Sequence, residues 1–520
     1  MAPRTGSAQL AECQQIDQGL LIDAPGGCIS RPLRDQIGPG QGGVVTPGSS
    51  IYLIKRDPAR AIRRGRQVFQ RKFTASEGLG PRVSFTSEGD VTATRALGAG
   101  LADSCAACHG RPRGAAGNGG DVATFPDSRD APHLFGLGLI EMLADEMTAD
   151  LRAIRDDALA AAAGKRRAPV RRELVSKGVD FGAITAFPNG RVDTSKVEGV
   201  SADLRVRPFF AEGRSASIRE FVIGAFNDEM GLQVWDPILC DATDPDEPQA
   251  RESPAGFVFD PATDTFNRPP SCDRIEDPDA DGVSGEVDPA LVDYLEFYFL
   301  NYFKPARYRS TARAEQGLEL MKSIGCTSCH VQNLTIERDR RIADVVTTYD
   351  PSRGFFNELF AEVYPLMVEE DDGEPYPQMV PALQEFVVEN VFTDLKRHDL
   401  GPYFVERDYD GSRIEAHVTE PLWGVGNTAP YGHDGRSVTL DAVIRRHRGE
   451  AAAVTDAYLA LSDDDQAKIV DFLETLIIFP PEDTASNLNP GTGEGDVQQP
   501  ESHGSLDLGV LFQNDSDGPE

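Results

Sequence analysis

Several stretches of this chain place apolar residues at helical spacing, and others show no period at all. Ala59 to Phe73 is basic, with Ile62, Phe69 and Phe73 able to share a face, which predicts an amphipathic helix. Pro132-His-Leu-Phe-Gly-Leu-Gly-Leu-Ile-Glu-Met-Leu143 opens a buried helix, and Glu141 to Arg172 continues it as an Ala-rich amphipathic run. Residues 173–215 read as alternating segments and turns, and a further helix is expected from Ser217 to Met230. Residues 236–290 are rich in Asp and Pro and read as an ordered but irregular loop. Leu291 to Phe303 is almost wholly apolar yet too short to span a bilayer, so it is expected to be a core helix. Thr311 to Ile324 carries Leu318, Met321 and Ile324 at roughly helical spacing. Ser462-Asp-Asp-Asp465 caps a helix reaching Ile478, where Pro480 and Pro481 stop it.

These elements predict a mainly α protein of two helical domains with long irregular loops and extensions. The expected division is an irregular N-terminal extension over 1–58, a first domain with an inserted middle region over 59–305, a second domain over 306–481, and a tail over 482–520. The tail lacks Lys and Arg and has little apolar content, so it is expected to be disordered. No stretch of about 18 apolar residues occurs, so no transmembrane segment is expected.

With 520 residues, 40% hydrophobic and 26% charged, the composition is that of a soluble globular protein. The net charge of −33 argues against a nucleic-acid partner, whose phosphates would be repelled. It suits a basic redox partner, such as a basic c-type cytochrome, or simply a well-solvated surface.

The chemistry lies in a repeated pentapeptide, Cys105-Ala-Ala-Cys108-His109 and Cys326-Thr-Ser-Cys329-His330. C-x-x-C-H is the attachment pattern of haem c: two thiols bond the porphyrin vinyl groups and the adjacent His offers a nitrogen to iron. Two copies predict two covalently attached haems c, at His109 and at His330. Such attachment occurs outside the cytoplasm in bacteria, so a periplasmic or extracellular protein is expected, its signal peptide being absent from Met1 onward. Of eight Cys, the four outside the haem motifs favour the local pairs Cys13–Cys28 and Cys240–Cys272 among three connectivities. Four buried free thiols are the alternative.

Pro421-Leu-Trp-Gly-Val-Gly-Asn-Thr-Ala-Pro-Tyr-Gly-His-Asp-Gly-Arg-Ser-Val-Thr-Leu-Asp-Ala-Val-Ile444 resembles a signature of bacterial di-haem oxidoreductases, relatives of di-haem cytochrome c peroxidase and MauG. Similar segments are Gly78-Leu-Gly-Pro81, Leu134-Phe-Gly-Leu-Gly-Leu-Ile-Glu141, Ala225-Phe-Asn-Asp-Glu-Met-Gly231, Asp281-Gly-Val-Ser-Gly285 and Leu395-Lys-Arg-His-Asp-Leu-Gly401. The resemblance implies two cytochrome c-like haem domains, with the 311–324 and 462–478 helices crossing in the second. It implies that peroxide or another small oxidant reacts at the N-terminal haem.

In the related peroxidases a Met downstream of the His-Asp-Gly segment binds the C-terminal haem. Here that place is His447, which the resemblance makes the sixth ligand opposite His330 and hence the mark of a closed electron-relay haem. His433 and His398 are implied to support the haem surroundings, and Arg436 to pair with a propionate. Glu141 matches a position implied to move protons at the N-terminal haem. His133 departs from the family pattern and reads as a sixth ligand, a distal acid–base group or a helix-start residue. Trp423 either packs against the C-terminal haem or bridges the two haems.

Asp277-Pro-Asp-Ala-Asp-Gly-Val-Ser-Gly-Glu-Val-Asp288 places Asp277, Asp279, Asp281 and Asp288 at positions 1, 3, 5 and 12 of a calcium-type loop. Gly282 stands at the turning position, but the terminal Asp is shorter than the usual Glu, and an acidic loop without metal is the alternative. The resulting expectation is an exported, peroxidase-like di-haem enzyme. Its rivals are a di-haem electron-transfer cytochrome without its own substrate and a haem-bearing scaffold.

Overall fold

The computed structural model describes residues 37–74, 77–80, 102–109, 129–164, 168–277, 282–301, 306–307, 310–350, 354–361, 363–368, 376–407 and 411–477. The expected Cys13–Cys28 pair and the 482–520 tail lie outside the described residues.

The first helices begin where capping chemistry allows. The Ser49 hydroxyl accepts from Tyr52 N–H to start α1 (Ser50–Arg56), and Asp57 with Pro58 at the first turn starts α2 (Pro58–Gln70). The extension expected over 1–58 therefore ends sooner than its boundary: α1 is helical, and Leu53 and Ile54 are buried in the main core. After α3 (Cys105–His109) comes α4 (Leu137–Ala163), which stops at Gly164 and does not run to Arg172. The chain turns instead into an antiparallel sheet in the order β1 (Val170–Ser176), β2 (Val179–Ala186), β3 (Val192–Val197). A register shift between Glu173 and Val175 breaks the two-residue alternation of β1, so its strand pattern is faint in sequence.

Ser217 caps α5 (Ile218–Asp228) as expected. The Asp- and Pro-rich region holds α6 (Pro237–Ala242) and the Cys240–Cys272 disulfide, whose Cα atoms lie 5.5 Å apart. Every residue of α7 (Pro289–Leu300) is buried, as its apolar run requires. α2 packs against it, with Phe69 set edge-on to Phe299 at 5.9 Å.

Thr311 caps α8 (Ala312–Ile324), and Gly325 turns its end into the second C-x-x-C-H segment. The chain finishes with α9 (Leu440–Arg446), α10 (Ala452–Leu459) and α11 (Asp463–Glu474), the last capped by Ser462. α11 crosses α8 at Gly317, where a Cβ would fall 1.9 Å from the Lys468 carbonyl oxygen. Gly317→Ala should therefore destabilise the protein by about 1–3 kcal/mol through overpacking. Urea unfolding followed by far-UV circular dichroism checks this; an unchanged midpoint would show that the crossing can relax.

The mainly α expectation is met only in part. Eleven α-helices among the described residues are joined by antiparallel pairs, including Ala343–Asp350 with Gly354–Ala361 and Val363–Val368 with Tyr376–Pro381. The expected boundary at 305/306 also fails to divide the cores. α8 and α11 form a small cluster around Leu318, Ile469 and Phe472, whereas Leu334, Ile336, Val388, Val391, Leu395 and Trp423 pack into the larger first core. Among the described residues, no helix is long and apolar enough to cross a membrane.

Candidate functional site

The four motif cysteines, Cys105, Cys108, Cys326 and Cys329, are all unpaired. The motif histidines are held by main-chain oxygens. His109 Nδ1 lies 2.6 Å from the Pro132 carbonyl, and His330 Nδ1 lies 3.0 Å from the Phe392 carbonyl. His447 repeats the arrangement, with Nδ1 2.7 Å from the Val443 carbonyl one turn back on α9. Donation from Nδ1–H fixes the tautomer and leaves the Nε2 lone pair for a metal. Burial pushes all three imidazoles below their ordinary range, His447 to about 4, so each is the neutral form that a metal requires. A proton on His330 would depress His447 further, so the two rings share one neighbourhood. The ring of Phe404 meets His447 edge-on at 5.2 Å. Two thiol pairs, each with a neutral imidazole beside it, suit two haems c.

Residues 129–136 tie the two halves of the site together. Arg129 forms a two-pronged buried ion pair with Glu406, at 3.0 and 2.6 Å. Asp130 N–H donates to the His433 carbonyl at 2.8 Å, and Pro132 orients His109. His133 Nε2 donates to the Trp423 carbonyl at 2.9 Å, while its Nδ1 accepts from Phe135 N–H at 3.2 Å. Gly136 follows with φ of 75°, and a Cβ there would lie 2.7 Å from the Trp423 ring. Trp423 is buried against this segment in the first core, while its neighbours Leu422 and Val425 pack on the second.

Other expected site residues take different places. Both ring nitrogens of His133 are engaged, so in this arrangement it has no lone pair for iron and serves as a tie at the start of α4. Glu141 is buried between Arg340, with which it is ion-paired, and the Ile218 N–H at the start of α5. Burial raises its pKa to about 7 against the opposing charge of Arg340. Proton transfer by Glu141 would require that pair to open. Arg436 is 61% exposed and lies 3.4 Å from Asp434, while Arg446 grips Asp434 at 2.6 Å and also holds the Tyr403 carbonyl. Asp279 and Asp281 lie outside the described residues. Asp277 accepts from Gly282 N–H, and Asp288 is spent capping α7.

His398 is clamped between Asp394 at 2.9 Å and Glu450 at 2.8 Å, beside Cys329. Burial opposes its charge, but the hydrogen bonds and the Asp394 charge prevail and raise its pKa to about 11. Protonated His398 therefore stabilises the fold fully below its unfolded pKa of about 6.5, and this contribution is lost as pH rises toward the folded value. Stability should fall with pH across that window by up to about 1.4 kcal/mol per unit, and His398→Gln should flatten the slope. Unfolding midpoints measured from pH 6 to 10 decide the matter; equal slopes in both proteins would refute it.

Sequence reasoning left Arg129, Phe404, Glu406 and His417 without roles. His417 and His433 are stacked at 4.1 Å with Glu406 beside both. No motif could reveal the supporting carbonyls of Pro132 and Phe392, because a main-chain oxygen is common to every residue.

Residues 367–476 match the family model described as "Di-haem oxidoreductase, putative peroxidase". No curated protein matches. Among solved structures, similarity is found to a hydrazine synthase of Kuenenia stuttgartiensis at 14% identity, over 36% of this chain and 56% of that one, with a TM-score of 0.23. This chain thus spans little more than half the length of that protein. A MauG-like protein associated with microbial copper homeostasis is similar at 13% identity, over 57% of this chain and 77% of that one, with a TM-score of 0.24.

Proposed function

From a chain whose residues 367–476 match the di-haem oxidoreductase family model, we propose an exported, peroxidase-like enzyme carrying two covalently attached haems c. The reading rests on three half-buried histidines, His109, His330 and His447, each with Nδ1 committed to a carbonyl and Nε2 left for iron. Cys105 and Cys108 would hold one haem, and Cys326 and Cys329 the other. Bound haem supplies one-electron redox chemistry and activation of a peroxide-class oxidant.

The chain's own groups set the division of labour. His330 and His447 would both hold the C-terminal haem, an arrangement that would suit electron relay. His133 is already bound to Trp423 and Phe135, so it does not compete for the His109 site, which is left to the oxidant. The Pro132 and Phe392 carbonyls orient the motif imidazoles and strengthen them as donors. Trp423 is packed against the strap that orients His109 and is joined in sequence to the second core, the place for an electron step between the sites. The cysteine pair Cys240–Cys272 suits an oxidising compartment, and the acidic surface suits a basic redox partner.

Purified holoprotein should give two haems c per chain by the pyridine haemochrome assay and should consume hydrogen peroxide when supplied with a reduced cytochrome. Trp423→Leu, which changes no iron ligand, should slow electron passage between the haems by tenfold or more while both haems remain attached. Two haems that exchange electrons with a partner but never react with peroxide would favour the electron-transfer cytochrome instead.

A further inference from the structure

Glu406, His417 and His433 form a largely buried polar centre that supplies no iron ligand in the haem reading. Their ligand-capable atoms all lie within 4.8 Å of one another. We propose that these three residues bind one divalent transition-metal ion of the zinc class, separate from both haem irons.

The donor set is the first support. Two imidazoles and a carboxylate are a common set for zinc and its first-row neighbours. Glu406 Oε1 lies 3.3 Å from His433 Nε2, and Glu406 Oε2 lies 3.7 Å from His417 Nε2. Metal bonds of about 2.0–2.1 Å in a tetrahedron put neighbouring donors about 3.3–3.4 Å apart, a spacing that the Oε1–His433 pair matches at 3.3 Å and that His417 would reach by a small inward shift from 3.7 Å. The two rings, now 18° from parallel, would splay to aim both lone pairs at one point.

The second support is an unmet need. His417 is 4% exposed, yet neither of its ring nitrogens has a hydrogen-bond partner among the described residues. Its approach to Glu406 is longer than a hydrogen bond. Buried polar groups are seldom left in that state, and each such exception points to an unaccounted partner. A cation bound at Nε2 would supply one.

Acceptor capacity gives the third. Arg129 occupies Glu406 with two prongs, but each carboxylate oxygen has a second lone pair. Arg129 is shared with Glu212 at 2.9 Å, which Arg214 also meets at 3.2 Å. Phe404 covers the site, packing against His433 at 5.9 Å on one side and His447 on the other.

The test uses full-length holoprotein freed of adventitious metal by chelator and titrated with zinc chloride by calorimetry, with zinc and iron counted by mass spectrometry. One zinc per two irons, bound at micromolar Kd or tighter, is expected. His417→Ala and Glu406→Gln should each weaken binding at least 100-fold, whereas His503→Ala should not change it. The haem absorption spectrum and unfolding midpoint identify any variant that has lost its fold, and zinc-edge X-ray absorption reads the ligands directly in the unmodified protein. Two imidazoles and an oxygen donor are expected there. Failure of the unmodified protein to bind zinc at 100-fold excess, or a zinc site without imidazole, overturns the proposal, even if the two haems are present and react with peroxide.

Discussion

Replacing His447 with Gly should convert the proposed C-terminal haem from low-spin to high-spin while leaving both haems covalently attached. The expectation follows from a side chain whose Nδ1 is fixed on the Val443 carbonyl, whose ring is neutral, and whose neighbourhood includes His330. Its removal leaves one axial position for water or added ligand. Imidazole in the buffer should then restore the low-spin signal, a response that a merely structural histidine would not show. The matching change at His133, to Ala, should leave both spin states unaltered, because its ring serves Trp423 and Phe135. An unaltered spectrum in the His447 variant would remove that residue from the iron.

Arg219→Met should be among the most damaging single changes to the fold. The guanidinium is fully buried and bonds Asp236, Asp293 at 3.0 Å and Glu296 at 2.8 Å, joining α5, the cap of α6 and α7. Three carboxylates face one cation, and burial already raises the pKa values of Asp293 and Glu296 despite Arg219. Removing the cation leaves buried negative charge unpaired, at a cost of about 3–5 kcal/mol. That is a large share of the roughly 5–15 kcal/mol that stabilises an ordinary domain. Because burial raises Asp293 and Glu296 above the ordinary carboxylate range, they take up protons before free carboxyls do, and the loss should already have shrunk at pH 4.5. Urea unfolding at pH 7 and pH 4.5 measures both effects; a loss under 1 kcal/mol at pH 7 would show that the carboxylates are not ionised there.

The parts of this structure legible in sequence were those with short-range causes. Ser217, Thr311 and Ser462 mark helix starts because a side-chain oxygen caps a nearby N–H. The apolar run of α7 is long enough for a helix and has no polar face, so it belonged inside. Cys240 and Cys272 are close enough in sequence for their pairing to be preferred, and they are bonded. The C-x-x-C-H motifs were plain for the same reason: their chemistry fits within five residues.

What escaped depends on partners distant along the chain. The interrupted alternation of β1 concealed a strand at the end of an Ala-rich helical run. Leu334, Ile336, Val388, Val391 and Leu395 pack into the first core although they follow the first helix of the second, an exchange that no local period records. His417 carried no motif. The pairing of the 397–399 and 416–418 segments holds His417 opposite His398, and from there it stacks on His433 and approaches Glu406. Arg129 reaches Glu406 from the opposite end of the chain. Arg436 was singled out for its place in a familiar segment, yet the guanidinium that organises Asp434 is that of Arg446.

Electron paramagnetic resonance of the oxidised holoprotein tests the central claim most directly. Two haems of unlike coordination should give one high-spin ferric signal, from the His109 site, and one low-spin signal, from the His330–His447 site, in equal amounts. Two low-spin signals that persist after half reduction, with no change on adding peroxide, would contradict the account.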